Sequence, residues 1–503
     1  MEKIAIIDLG SNSARLVLAN ILPGGYFVVF DELSESVRLA DTDNGFLKPA
    51  RIAQTIKTLK LMRRLCDANG VSRICAYATA AVRNAKNQRG FLDEVFAVCG
   101  FHLKVLSEEE EAHFVYQGVI NSMDCPKGLI MDIGGGSTQL IYYNRRMLLG
   151  HKTIPAGAIT LTEMFKESAK TPAERSAKIR EYFFQQIQEI PWLKEVDCED
   201  IKFIGVGGSF RNVGKISRML GKYPLDMAHN YAVSQAEFKG IYDNIKTKDF
   251  TGDMQIRGLS DDRADIFPSA LAAIDAVFSL LNFETLTISG AGLREGVLYH
   301  HAVPSTNERP LTDVLGHSIY TVLKNYDENI EHAEHVYNLS IQLFKQLKVL
   351  HKLPRLYVRV LRTAAMLHDA GNRIRYYDHH KHSAYVILNS SLNGITHKEL
   401  IMAALMASMH RKSDLVSSDF NKYRGLLTTE DADAVRKLGV IIRIAESLDR
   451  SHSGVIRGLN CDVLGDSVIM KTETYGDTSL EIKDALFAGP HFKKAYGKNL
   501  QIL

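Results

Sequence analysis

The chain has 503 residues, 61 Lys and Arg against 58 Asp and Glu, and a formal charge of +3. Hydrophobic residues make up 46% and charged residues 24%, which excludes a disordered, collagenous or coiled-coil chain. The near-neutral balance excludes a basic nucleic-acid coat, and no apolar run reaches about 18 residues, so neither a nucleic-acid partner nor a membrane span is expected. The length predicts about three or four domains at roughly 100–200 residues each. Cys66, Cys75, Cys99, Cys125, Cys198 and Cys461 form no CxxC pair, so reduced thiols and a cytoplasmic location are expected. The start MEKIAIIDLG reads as a strand, with no secretory signal.

A repeat opens the chain. IAIIDLGSNSARLVLANI (4–21) and LIMDIGGGSTQLIYYN (129–144) align Asp8 with Asp132, Gly10 with Gly134, Ser13 with Ser137 and Leu16 with Leu140. Each copy is an apolar strand, an Asp, a glycine turn and a second strand. A third strand follows in each, so both halves open as three-strand meanders. Small residues let backbone N–H groups approach an anion, and Gly10–Ser11–Asn12–Ser13 and Gly134–Gly135–Gly136–Ser137–Thr138 can add hydroxyl or amide donors. A Walker loop is absent. A Rossmann fingerprint would open a helix, whereas this turn enters a strand.

Further along, Ser107 to Glu111 reads S-E-E-E-E ahead of an apolar-periodic helix. Ser107 and Glu110 have capping-box spacing, which leaves Glu111 free of that duty. Arg38 in SVRLAD and Arg83 in ATAAVRNA are candidate anion contacts. Gly207–Gly208–Ser209 makes a third small-residue turn, and Ser289–Gly290–Ala291–Gly292 leads into a helix.

In order along the chain, these segments, with LSEEEEAHFVYQGV, MDIGGGSTQLI, IPAGAITLTEMF, IGVGGSFRNV, RADIFPSA and ISGAGLREGVLY, resemble the exopolyphosphatase / guanosine pentaphosphate phosphohydrolase family. That family belongs with actin, sugar kinases and heat-shock chaperones. The resemblance implies an α/β fold of two ribonuclease-H-like halves, 1–123 and 124–303, around a phosphate cleft. It makes Glu111 the general base, with Asp8 and Asp132 as further catalytic carboxylates holding Mg²⁺ or Mn²⁺. The two loops, with Arg83, Gly207, Gly208 and Ser209, would bind phosphate. It implies hydrolysis of terminal phosphoanhydride bonds in polyphosphate or guanosine pentaphosphate, K⁺ as a further cation, and a homodimer.

From Glu308 to about His452 the pattern is helical. His335, His368, Asp369, His410 and Asp449, with His379, His380 and, more weakly, His382, resemble the H…HD…D ligand set of the HD phosphohydrolase superfamily. That predicts an all-α HD-like domain at 304–453 with a second divalent site. Residues 341–385 carry nine Lys or Arg against two acids, a possible polyanion track. A small α+β domain, 454–503, is expected to include strands at 463–464, 467–471 and 479–482. Three other readings fit the same residues: a kinase of the superfamily, a polyphosphate or alarmone sensor, and a hydrolase centred on the helical domain.

Overall fold

The computed structural model describes residues 2–196, 201–248, 256–411 and 420–503. Two compact units result, Met1–Val314 and Leu315–Leu503. Cys198 lies outside the described residues.

The first unit holds two mixed sheets. In one, the spatial order is Tyr26–Ser36, Ser13–Leu22, Glu2–Leu9, Arg73–Ala78, Leu103–Val105. In the other it is Met147–Ile154, Thr138–Asn144, Lys127–Ile133, Lys202–Val206, Thr285–Ile288, Tyr231–Ser234. Each begins with the expected antiparallel meander and continues through parallel strands. The repeat is present atom for atom at its turns. Gly10 N–H donates to Ser13 O at 3.0 Å, and Gly134 N–H to Ser137 O at 2.9 Å. Ile4–Ile7 and Leu129–Met131 are fully buried, as strands covered on both faces require.

The parallel register stacks the carboxyl ends of the central strands. Leu9 pairs with Ala78, and Asp132 with Val206. Thr79 N–H donates to Leu9 O, Leu106 N–H to Ala78 O, and Ser289 N–H to Gly205 O. The functional loops therefore leave the sheets together, at the edge where open α/β sheets bind ligands. Two glycines complete this arrangement. A Cβ on Gly296 would meet the Phe114 carbonyl oxygen at 1.8 Å, and one on Gly118 would meet the Gly292 carbonyl at 2.1 Å. Only glycine allows the helices Glu108–Ile120 and Leu293–Ala302 to cross this closely. Gly292, at the end of the 289–292 turn, therefore takes part in the helix crossing and also lines the cleft.

In the second unit, helices Ile330–Gln346, Tyr357–Met366, His379–Asn389, His397–Ser408 and Thr429–Ser447 bury an aliphatic core. The C-terminal strands Ile456–Leu464, Ser467–Thr474 and Asn499–Ile502 form one sheet built onto those helices. Leu459 N–H donates to Gln342 Oε1 at 3.0 Å, and Tyr496 OH to Lys437 O at 2.9 Å. The strand expected at 479–482 is instead helix Ser479–Leu486. Ile482, Ala485 and Leu486 give it helical spacing, and Glu481 is buried and accepts Ser451 N–H.

Candidate active site

The two glycine turns face each other. A Cβ on Gly135 or Gly136 would meet Ser11, at 3.0 Å from its Cβ and 2.7 Å from its Oγ respectively. Backbone bonds from neighbouring segments occupy the carbonyls of both loops. Val37 and Arg38 N–H donate to Asn12 O, and Ala40 N–H to Ser11 O. Ala158 and Ile159 N–H donate to Gly134 O and Gly135 O. With the carbonyls held, the loops present N–H groups to an anion.

Asp8 and Asp132 rise from equivalent strand ends into the cleft between these loops, and Glu111 joins them there. Ser107 and Glu110 exchange both capping-box bonds, at 3.1 and 3.0 Å, which fixes the helix end that carries Glu111. Glu111 Oε2 accepts from Arg83 Nη1 at 2.8 Å, with side chains only 12% and 16% exposed. Burial pushes the Glu111 carboxyl up to about 7 despite the Arg83 bond and charge that lower it. Burial also raises Asp132 to about 6, and Asp8 in the same direction.

Four arginines surround these carboxylates: Arg15, Arg211, Arg263 and Arg294. Burial lowers Arg211 to about 9 and Arg263 to about 10, so both remain cations at neutral pH. All four lie in the motif segments quoted above, where none stands out as a candidate. The signal was there, because Arg211 and Arg294 each open a helix after a glycine turn, and Arg263 lies in RADIFPSA. Arg15 is legible only from register: it sits across from Asp8, where the other half has Gln139 across from Asp132.

Gly10, Ser11, Asn12, Ser13, Gly134, Gly135, Gly136, Ser137, Gly207 and Gly208 all line the cleft. Gly207 has φ +98°, and a Cβ there would come within 2.9 Å of Asp132 Oδ1. Other expected phosphate contacts are engaged elsewhere. Arg83 pairs with Glu111 and donates to Leu106 O at 2.9 Å, so it positions the carboxylate rather than lining the cleft. Thr138 Oγ1 donates to Ala156 O at 2.7 Å, and Ser209 is buried at the start of its helix. Arg38 bonds Asp265 at 2.8 and 3.0 Å, joining the two halves.

The donors suit a hard divalent cation. Asp8 and Asp132 bring two carboxylates into one cleft, and both are ringed by protein. Such oxygens are the ligands Mg²⁺ or Mn²⁺ prefer.

In the second unit, His368, Asp369, His379 and His410 converge, but the expected His335, Asp449, His380 and His382 lie outside the ligand groups. His335 bonds Ile456 O at 2.9 Å, and His332, one turn earlier, takes its place in the cluster. His382 likewise lies outside, whereas His379, also named from the sequence, lies in the cluster. Residues three apart share a helix face, so spacing alone did not choose between them. Asp449 stands behind His332, accepting its Nδ1–H at 2.7 Å. His380 is buried outside both groups. The basic run 341–385 is spread over several helices. Arg359 is engaged with Gly394 O and Glu399, and Arg375 lies over the Tyr377 ring.

Comparison with known proteins supplies the context. The profile of the Ppx/GppA phosphatase family matches residues 17–303, and that of Ppx/GppA phosphatase domain III matches residues 315–481. A guanosine-5'-triphosphate,3'-diphosphate pyrophosphatase of Pseudoalteromonas translucida is 28% identical over 431 residues, 83% of this chain and 82% of that one. The Aeromonas hydrophila protein of the same name is 29% identical, covering 80% and 79%. Among solved structures, an exopolyphosphatase from Cytophaga hutchinsonii shares the fold with TM-score 0.56 and 24% identity, over 60% of this chain and 98% of that one. The Aquifex aeolicus member of the Ppx/GppA family gives TM-score 0.51 at 27% identity, with the same coverage. No helix among the described residues is long and apolar enough to cross a membrane.

Proposed function

The chain belongs to the Ppx/GppA phosphatase family, hydrolases of phosphoanhydride bonds, and on that premise we propose that its cleft removes terminal phosphate from inorganic polyphosphate and guanosine pentaphosphate. The observation that carries this reading is the pairing of one half-ionised carboxyl, Glu111 at about 7, with four cleft arginines and two opposed glycine loops. A base poised near neutral pH takes a proton from water most effectively. The arginines and loop N–H groups hold the polyanion and offset charge on the equatorial oxygens.

Asp8 and Asp132 would hold Mg²⁺ or Mn²⁺, which supplies further charge neutralisation. The chain's own part is separable from that. The loops fix the terminal phosphate, Arg83 fixes the Glu111 side chain, and Glu111 accepts the proton of the attacking water. The new oxygen–phosphorus bond forms as the bridging oxygen departs with the remaining chain. Both substrates end in the same group, so both fit the same site.

Orthophosphate release from long-chain polyphosphate and from guanosine pentaphosphate, measured for wild type and Glu111→Gln, tests the reading. A drop of roughly 10²–10⁴-fold with an unchanged melting curve is expected. Full activity in a pure Glu111→Gln sample would overturn it.

A further inference from the structure

On the reaction proposed above, we infer that Arg38 and Asp265 are positioning residues. Their ion pair is a clasp across the mouth of the cleft, closing the first phosphate loop against the segment that carries Arg263. Neither residue lines the cleft, whereas Ser11, Asn12 and Arg263 do. The clasp therefore acts through those groups rather than on the phosphate.

Arg38 is built into the first half. Val37 and Leu39 on either side of it are fully buried. Val37 and Arg38 N–H both donate to Asn12 O at 2.9 Å, and Ala40 N–H donates to Ser11 O at 3.0 Å. The backbone around the guanidinium is thus bonded to the loop that holds phosphate. Arg38 has φ +46°, in the left-handed region that residues other than glycine seldom adopt. Such strain persists only where the surroundings enforce it, and it clusters at ligand clamps. Here the buried neighbours and the Asn12 carbonyl enforce it, and they send the side chain to the other half.

There Arg38 meets a matched acceptor. Its Nη1 donates to Asp265 Oδ2 at 2.8 Å and its Nη2 to Asp265 Oδ1 at 3.0 Å, a fork that fixes orientation as well as distance. Nη2 also donates to Asp262 O at 3.2 Å. Asp262 and Asp265 bracket Arg263, and the next residues, Ile266 and Phe267, are buried in the core of the second half. Arg263 packs on Gly208, where a Cβ would meet its Cζ at 2.3 Å. Ser260 Oγ donates to Asn212 Oδ1 at 3.0 Å, on the helix that also carries Arg211. One ion pair so connects the first loop to the supports of two cleft arginines. A solvated surface pair explains neither the strained backbone nor the three bonds. Both side chains are partly open to water, so the clasp breaks readily, as entry of a chain end and exit of orthophosphate require.

Orthophosphate release from polyphosphate, with amide hydrogen exchange of Ser11–Ser13, tests the clasp on the full-length protein. Arg38→Gln and Asp265→Asn each raise KM by about 1.5- to 5-fold, the worth of an exposed pair, with kcat nearly unchanged. The double variant Arg38→Asp with Asp265→Arg returns KM toward the wild-type value, because the pair is remade with its ends exchanged. Amide exchange speeds up in both single variants and slows again in the double one. Raised salt, which screens an exposed pair, speeds the same exchange in wild type, so a variant that fails to fold leaves the question decidable. Exchange is read without turnover: full activity of Glu111→Gln would overturn the reaction and leave the exchange result standing. A double variant whose KM stays at or above those of the single variants overturns the clasp and makes Arg38 a direct phosphate contact. Unchanged exchange in the single variants, or in wild type at raised salt, overturns it as well.

Discussion

Arg83→Met separates two roles that one arginine could play in this cleft. Arg83 bonds Glu111 at 2.8 Å, and the pair is too buried for solvent to screen it much. Burial lifts Glu111 to about 7 while Arg83 pulls it down. A neighbouring guanidinium lowers a carboxyl by about 1–3 units. Removing it moves Glu111 from about 7 to roughly 8–9, taking a loss of about 1–2 of those units. A base must be deprotonated to act, so the acidic limb of kcat/KM moves to higher pH. At pH 7 the ionised fraction falls from about a half to between about a tenth and a hundredth, a loss of roughly 5- to 50-fold. Above the new pKa the variant recovers toward wild type. The assay is orthophosphate release from polyphosphate across pH 5.5–10 at fixed Mg²⁺, with a melting curve to confirm folding. A loss of the same size at every pH would refute the argument and return Arg83 to the role of a phosphate contact.

Arg211→Ala removes a buried cation from the cleft wall, and it should raise KM for polyphosphate more than it lowers kcat, as steady-state kinetics will show. Thr138→Val should cost about 1 kcal/mol in a urea melt, the worth of its bond to Ala156 O, and leave kcat/KM unchanged. Gly296→Ala forces its Cβ onto the Phe114 carbonyl. About 1–3 kcal/mol of stability should be lost, with kcat reduced because Phe114 and Glu111 share one helix.

What the sequence revealed divides by the kind of signal. The duplicated Asp and glycine turn was legible because strand, carboxylate and turn recur in fixed order, and both copies close with the same hydrogen bond. The capping box of Ser107 and Glu110 was legible from spacing, whereas the role given to Glu111 came from the family resemblance. The Arg83–Glu111 pair was not legible, because an arginine near a phosphate loop has the same spelling whether it faces the anion or a carboxylate. His332 was passed over for His335, three positions later, which a helix places on the same face. The Arg15 role required the pairing of Asp8 with its cross-strand partner, which no linear pattern prints.

The duplication also explains why the site is asymmetric. Both halves supply an Asp and a glycine loop, but Glu111 comes from the first, and three of the four arginines come from the second. The Arg38–Asp265 pair joins the halves, with side chains 36% and 46% exposed, so its own energy is small. The stronger tie is the crossing of helices at Gly118 and Gly296, where the first half's Glu111 helix lies against a helix of the second. The distance between the Glu111 helix and the helix that carries Arg294 is therefore set by a backbone-to-backbone contact that admits no side chain. A flexible ion pair alone would let that distance drift.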